Sequence, residues 1–114
     1  MTTAPRTGVP QITAAGALLT ILSEHAALPE PHARLDLVAI GWDEPAEWGV
    51  ELVLQDDMGG FEQWREALDI APADVDSDRT DFTAWLVAHT VRSGVPVTLV
   101  VHFDLPDPDE GEQP

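Results

Sequence analysis

Apolar residues fall at two spacings along this chain, every three to four residues and every second residue, and the changes between them mark its elements. Ala15, Leu18, Leu19, Leu22 and Ala26 recur at helical spacing. They predict a helix over 13–28, with Thr13 capping its start and Pro29 ending it. Residues 34–42 (RLDLVAIGW) and 48–55 (WGVELVLQ) then read as two strands joined by DEPAE. In the second strand Trp48, Val50, Leu52 and Leu54 alternate with Gly49, Glu51, Val53 and Gln55, which marks one buried face. Phe61, Trp64 and Leu68, at i, i+3 and i+7, predict a second helix over 59–70. Asp56 or Asp57 supplies its cap, and Gly59 and Gly60 weaken its first turn. An acidic loop over 71–81 (APADVDSDRTD) follows. Residues 82–91 and 95–103 then predict a hairpin around Arg92-Ser93-Gly94.

The order is α-β-β-α-β-β, which is the ferredoxin-like β-α-β-β-α-β unit with its first strand moved to the end of the chain. The expectation is an α+β fold, a four-stranded antiparallel sheet with two helices on one face. The last strand, VPVTLVVHF, is apolar on both sides and suits a central place between the second and third strands. One domain over 13–103 is flanked by a loose Thr/Pro-rich segment over 1–12 and an acidic tail over 104–114. That tail, DLPDPDEGEQP, has three prolines and no aromatic residue, so it cannot bury enough apolar area to offset its ordering entropy.

Charge changes the picture more than composition does. Four Trp and three Phe support a packed core, and the absence of Cys excludes disulfides, thiolate metal ligands and Cys nucleophiles. Twenty-one acidic residues stand against five arginines and no lysine, a formal charge of −16 on 114 residues. Such a chain repels nucleic acid and anionic membranes, which bind through Lys and Arg, and attracts basic partners. The start of the chain lacks a charged segment followed by a long apolar run, and 17–22 is too short to span a bilayer, so a cytoplasmic location is expected. Nine of the acids lie in the tail and in the 74–81 stretch, where water solvates them. The others gather chiefly as Asp43, Glu44, Glu47, Asp56 and Asp57 in loops at strand ends.

The layout of helix, hairpin, Trp-containing helix and closing hairpin with GVPVTLVVHF resembles small uncharacterised α+β proteins of high-GC actinobacteria and their phages. The missing lysines and the abundance of Ala, Pro, Asp and Val fit a high-GC genome. The resemblance covers roughly 13–103. It implies origin rather than activity and carries over no catalytic residue.

Candidate chemistry is sparse. Asp74, Asp76 and Asp78 have the alternate spacing that opens a calcium loop, yet the sixth position is Arg79 instead of Gly and the twelfth is Trp85 instead of Glu. A solvated acidic connection is the favoured reading over a metal site. Asp56-Asp57-Met58-Gly59-Gly60 places carboxylates where a phosphate loop needs a cation, so it reads as a cap and turn. No Walker, dinucleotide or GxSxG pattern appears, and no cofactor is expected. His102 with Glu51 is a candidate acid–base pair, although a surface or interface role for a strand His is favoured in the absence of a nucleophile. With Val91 facing Val95, His89 lies opposite Val97 and His102 opposite Ala84.

The sheet face away from the helices is the more informative constellation. Thr98, Val100 and His102 would point there, with Val38, Ile40, Trp42, Val53, Trp85, Val87 and His89, an apolar surface unusual for a free sheet face. The leading expectation is a non-enzymatic binding module for a basic protein, an inhibitor, immunity protein or nucleic-acid mimic. It would bind through Trp42, Val53, Trp85, Val87, His89, Val100 and His102, with Asp43, Glu44, Glu47, Asp56 and Asp57 around them. Two alternatives stand beside it. One is a small enzyme or ligand-binding domain with a pocket around Trp85, His102 and Glu51. The other is a homodimer through the sheet face, serving as an accessory protein of a phage or mobile element.

Overall fold

Two helices cover one face of a five-stranded sheet in the computed structural model, which describes residues 8–38, 43 and 45–105. In chain order the elements are α1 (Val9–Glu24), β1 (His32–Val38), β2 (Glu47–Gln55), α2 (Met58–Ala67), a 3-10 turn (Pro72–Asp74), β3 (Val75–Arg79), β4 (Thr83–Arg92) and β5 (Val95–Asp104). The sheet order is β1-β2-β5-β4-β3. All neighbours are antiparallel except β2 and β5, which run parallel from Val50↔Val97 to Gln55↔His102. The fold is therefore α+β with a mixed sheet, and the expected four antiparallel strands are corrected on both counts. β5 is central, between β2 and β4, as its two-sided apolar pattern requires.

The extra strand is β3. The acidic stretch expected to be a loop instead pairs with β4 from Val75↔Ala88 to Arg79↔Ala84. Its four residues after Val75 are all exposed. An edge strand with that much solvent carries no apolar alternation, so its sequence resembles a loop. Asp76 and Asp78 consequently stand on extended backbone, and the calcium-loop geometry does not form.

α1 begins four residues before its expected start, inside the segment read as loose. Pro10 occupies its first turn, where a missing N–H costs nothing. Thr13 is no cap; its hydroxyl donates to the Val9 carbonyl at 3.0 Å. The buried stripe is Ala14, Ala17 and Ile21, with Leu18 and Leu22 partly buried beside it. Ala15 and Leu19 point to solvent. The core phase is thus rotated by about one residue, because small alanines let the helix lie close on β2 while leucines flank it.

α2 is capped by Asp57, whose Oδ1 accepts the Gly60 N–H at 2.8 Å, and it buries Phe61, Trp64 and Leu68 as expected. A Cβ on Gly60 would collide with the Asp57 carboxylate, whereas one on Gly59 would meet it at an ordinary 3.9 Å. The two glycines therefore predict opposite signs. Gly59→Ala should stabilise by about 0.5–1 kcal/mol through helix propensity. Gly60→Ala should lose about 1 kcal/mol by breaking the cap. Urea midpoints of the two variants check this.

The core joins Val50, Leu52 and Leu54 of β2, Val95, Val97, Leu99 and Val101 of β5, and Ala88 of β4 to the inner residues of both helices. Trp64 sits at its centre, 1% exposed, with Nε1 donating to the Pro29 carbonyl at 2.8 Å. Both strands at the sheet margins share one device. Asp36 accepts the N–H of Leu37 and Asp78 that of Arg79, each through Oδ1 at 2.8 Å. The carboxylate thereby occupies a backbone donor that another strand would need, which blunts edge-to-edge pairing.

Candidate interaction face

The β4–β5 hairpin turns on two residues, Ser93 and Gly94, at φ +53° and +76°. Paired positive φ values fit the two-residue turn that matches strand twist. The register is Arg92↔Val95, one residue away from the expected pairing. His89 therefore faces Thr98, and His102 faces Trp85, in place of Val97 and Ala84.

That register arranges the face opposite the helices into three rows crossing the sheet. The first is Arg34, Glu51, Thr98 and His89. Arg34 Nη2 lies 2.8 Å from Glu51 Oε1, and His89 Nδ1 is 3.2 Å from the Thr98 hydroxyl. The second is His32, Val53, Val100, Val87 and Asp76. The third is Gln55, His102, Trp85 and Asp78, with the His102 and Trp85 ring centroids 6.5 Å apart. Val53, Trp85, Val87, His89, Val100 and His102 thus share one face, as expected. Among the described residues, however, the broad apolar surface does not form. Val100 is only 8% exposed between its neighbours, and Val53, Val87, Trp85 and His102 are partly buried. What remains is a narrow valine row between a polar row and an aromatic one.

The acids divide. Asp56 follows β2 at φ +52°; its N–H donates to the His102 carbonyl at 2.8 Å, and its Oδ1 accepts the Asp104 N–H at 3.3 Å. Asp56, Asp104 and Asp78 therefore border the Trp85–His102 end of the face. Asp57 is occupied as the α2 cap. Glu47 begins β2 and Asp43 precedes it, both exposed, and Glu47 lies about 30 Å from Asp56 at strand rise. The described loop acids do not form one cluster, because β2 separates Asp43 and Glu47 from Asp56 and Asp57. Trp42, Ile40 and Glu44 lie outside the described residues, as do the expected loose segment over 1–7 and the tail over 106–114. The acids the sequence reading missed as neighbours are Asp78 and Asp104, which enter only through the β3 pairing and the corrected register.

Glu51 and His102 are not brought together. In the β2–β5 ladder Glu51 is opposite Thr98 and His102 opposite Gln55, four residues further on. The acid–base pair is corrected accordingly. Among the described residues no group of three or more His, Asp and Glu is placed to hold a metal ion, and no helix is long and apolar enough to cross a membrane. No protein-family model, curated protein or solved structure matches the chain.

Proposed function

We propose that this protein is a binding module that docks a basic segment of a partner protein on the Trp85–His102 end of its open sheet face. The observation that carries the reading is the row Gln55–His102–Trp85–Asp78, bordered by Asp56 and Asp104 and continued by the valines at 53, 87 and 100. An indole face attracts a guanidinium or ammonium group, and adjacent carboxylates pair with it. The valine row supplies apolar contact at the centre, with charge at the rim, the usual anatomy of a specific interface. The net charge of −16 steers a cationic partner toward it. A protein whose own surface meets polyanions is the partner type that fits, so inhibition, immunity or nucleic-acid mimicry in the cytoplasm is the role we assign. We also read the topology as a permuted ferredoxin-like unit with β3 added at one margin, on the strength of the strand order and the parallel β2–β5 pair.

Capture from the source cell at low salt tests this. The expected result is a Lys/Arg-rich protein retained by the native chain, released as salt rises, and bound about 30-fold more weakly by Trp85→Ala, the loss of a buried aromatic anchor worth about 2 kcal/mol. Asp78→Asn with Asp104→Asn should chiefly slow association. Recovery of no basic protein, or a partner whose affinity ignores Trp85→Ala, would overturn the reading.

A further inference from the structure

We infer that the solvent side of α1 is a self-association surface on which a second copy of this chain packs its own α1. Ile12, Gly16, Leu19 and Ser23 are spaced by four, three and four residues, the repeat of a helix–helix seam, on the side of α1 opposite the buried Ala14, Ala17 and Ile21. Ile12 is 70% and Leu19 67% exposed, the two highest values among large apolar side chains of the described residues. Ala15, exposed beside them, is small, and a Cβ built on Gly16 meets nothing within 4 Å. Another helix can therefore approach to the short end of the usual interaxial range.

Charge identifies the occupant. No ionisable side chain occurs between Arg6 and Glu24, although the chain as a whole carries −16. A basic partner finds no carboxylate on this surface to pair with. A second copy is repelled by the acidic surfaces elsewhere and meets no like charge along this helix before its last residue, Glu24. At each sheet margin a carboxylate, that of Asp36 or Asp78, already takes one N–H that a pairing strand would need. A helix of 16 residues is about 24 Å long, and its seam buries less than the roughly 1,000 Å² of a permanent interface, so the pairing is reversible and concentration-dependent.

Sedimentation equilibrium of the full chain tests this across concentration and salt. The expected result is a dimer whose population rises with added salt, since screening weakens the repulsion between two −16 chains. Leu19→Glu and Ile12→Glu should each weaken it at least about tenfold by setting like charges against one another, with unchanged melting temperature because both side chains are exposed. The chain has no cysteine, so a single introduced thiol reports the geometry. At a two-fold interface a residue near the axis meets its own copy, so Gly16→Cys should cross-link under mild oxidation and Ser77→Cys, on the β3 margin of the sheet, should not. A chain that stays monomeric to about 1 mM in high salt overturns the inference. So does a dimer that survives Leu19→Glu, or one broken by Val87→Glu, which would place it on the sheet.

Discussion

Trp64→Ala should cost about 3–5 kcal/mol, the range for deleting a large aromatic side chain from a close-packed core. The unfolding midpoint should fall by roughly 15–30 °C. Three roles meet in this one residue. Its ring is 1% exposed at the centre of the α2 stripe, so truncation leaves a cavity among Phe61, Leu68 and the sheet. Its Nε1–H serves the Pro29 carbonyl at 2.8 Å, an acceptor in the turn that follows α1. Its ring makes a T-shaped contact with the His25 ring, with centroids 5.7 Å apart, just past the end of α1. Trp64 is thus the direct tie between α2 and the segment linking α1 to β1. Trp64→Phe separates these effects, since it keeps most of the volume and abandons the Pro29 carbonyl, for an expected loss of about 1–3 kcal/mol. Urea unfolding of both variants, followed by far-UV circular dichroism, measures the two losses. Equal losses would show that the hydrogen bond outweighs the packing.

That tie was half legible in the sequence. Phe61, Trp64 and Leu68 repeat at helical spacing, so the buried stripe of α2 follows from periodicity alone. The Pro29 contact spans 35 residues and has no local signature. The alternation in β2 was equally plain, because Val50, Leu52 and Leu54 face helices while Glu51 and Gln55 face water. α1 shows where periodicity misleads. Its leucines are larger than its alanines, so apolar weighting puts Leu19 inside. Sterics decide otherwise, since a helix pressed on a sheet buries its small residues where the backbones approach.

On the open sheet face the sequence pattern identifies the strands but not which residues are neighbours. Side chains in a strand alternate, so the members of one face follow from any one of them. Which residues stand side by side depends on the turn, and a three-residue reading of Arg92-Ser93-Gly94 displaced every cross-strand pair by one. Ser93 at positive φ is the local reason, since that conformation is uncommon for a residue other than Gly and invisible to composition. β3 was missed for a different cause. A margin strand that defends itself with Asp76 and Asp78 has given up the apolar pattern by which strands are recognised. The same carboxylates that hide it also place Asp78 beside Trp85.

Arg65→Ala should lower the unfolding midpoint by roughly 5–15 °C, a large effect for a charged helix residue. The cause lies at the C-terminus of α2. Asp69, at φ +58°, donates its N–H to Glu66, and Ile70 reaches back to the Arg65 carbonyl at 3.0 Å, the paired bonds of a Schellman ending without its usual glycine. Arg65 closes this ending from its side chain. Nη1 donates to the Ile70 carbonyl at 2.7 Å in a buried setting, while Nε and Nη2 both reach Glu62 Oε2, at 2.9 and 2.7 Å. Removing the guanidinium leaves the Ile70 carbonyl without this donor and Glu62 without its counter-charge. The hydrogen bonds that Arg65 donates to the Glu62 carboxylate hold its pKa above the ordinary value; burial opposes this, and the charges of Glu62 and Glu66 add to it. A base whose pKa is raised on folding stabilises the fold below its unfolded value and loses that contribution only as pH rises through the folded one. Both values lie far above neutral pH, so the Arg65 contribution is constant between pH 5 and 9. Glu62→Gln supplies the control, since it keeps Nη1 on the Ile70 carbonyl and should show a smaller loss. Thermal melts at pH 6 and 8 should give the same deficit for Arg65→Ala. A deficit that varied between them would place the effect on another titrating group.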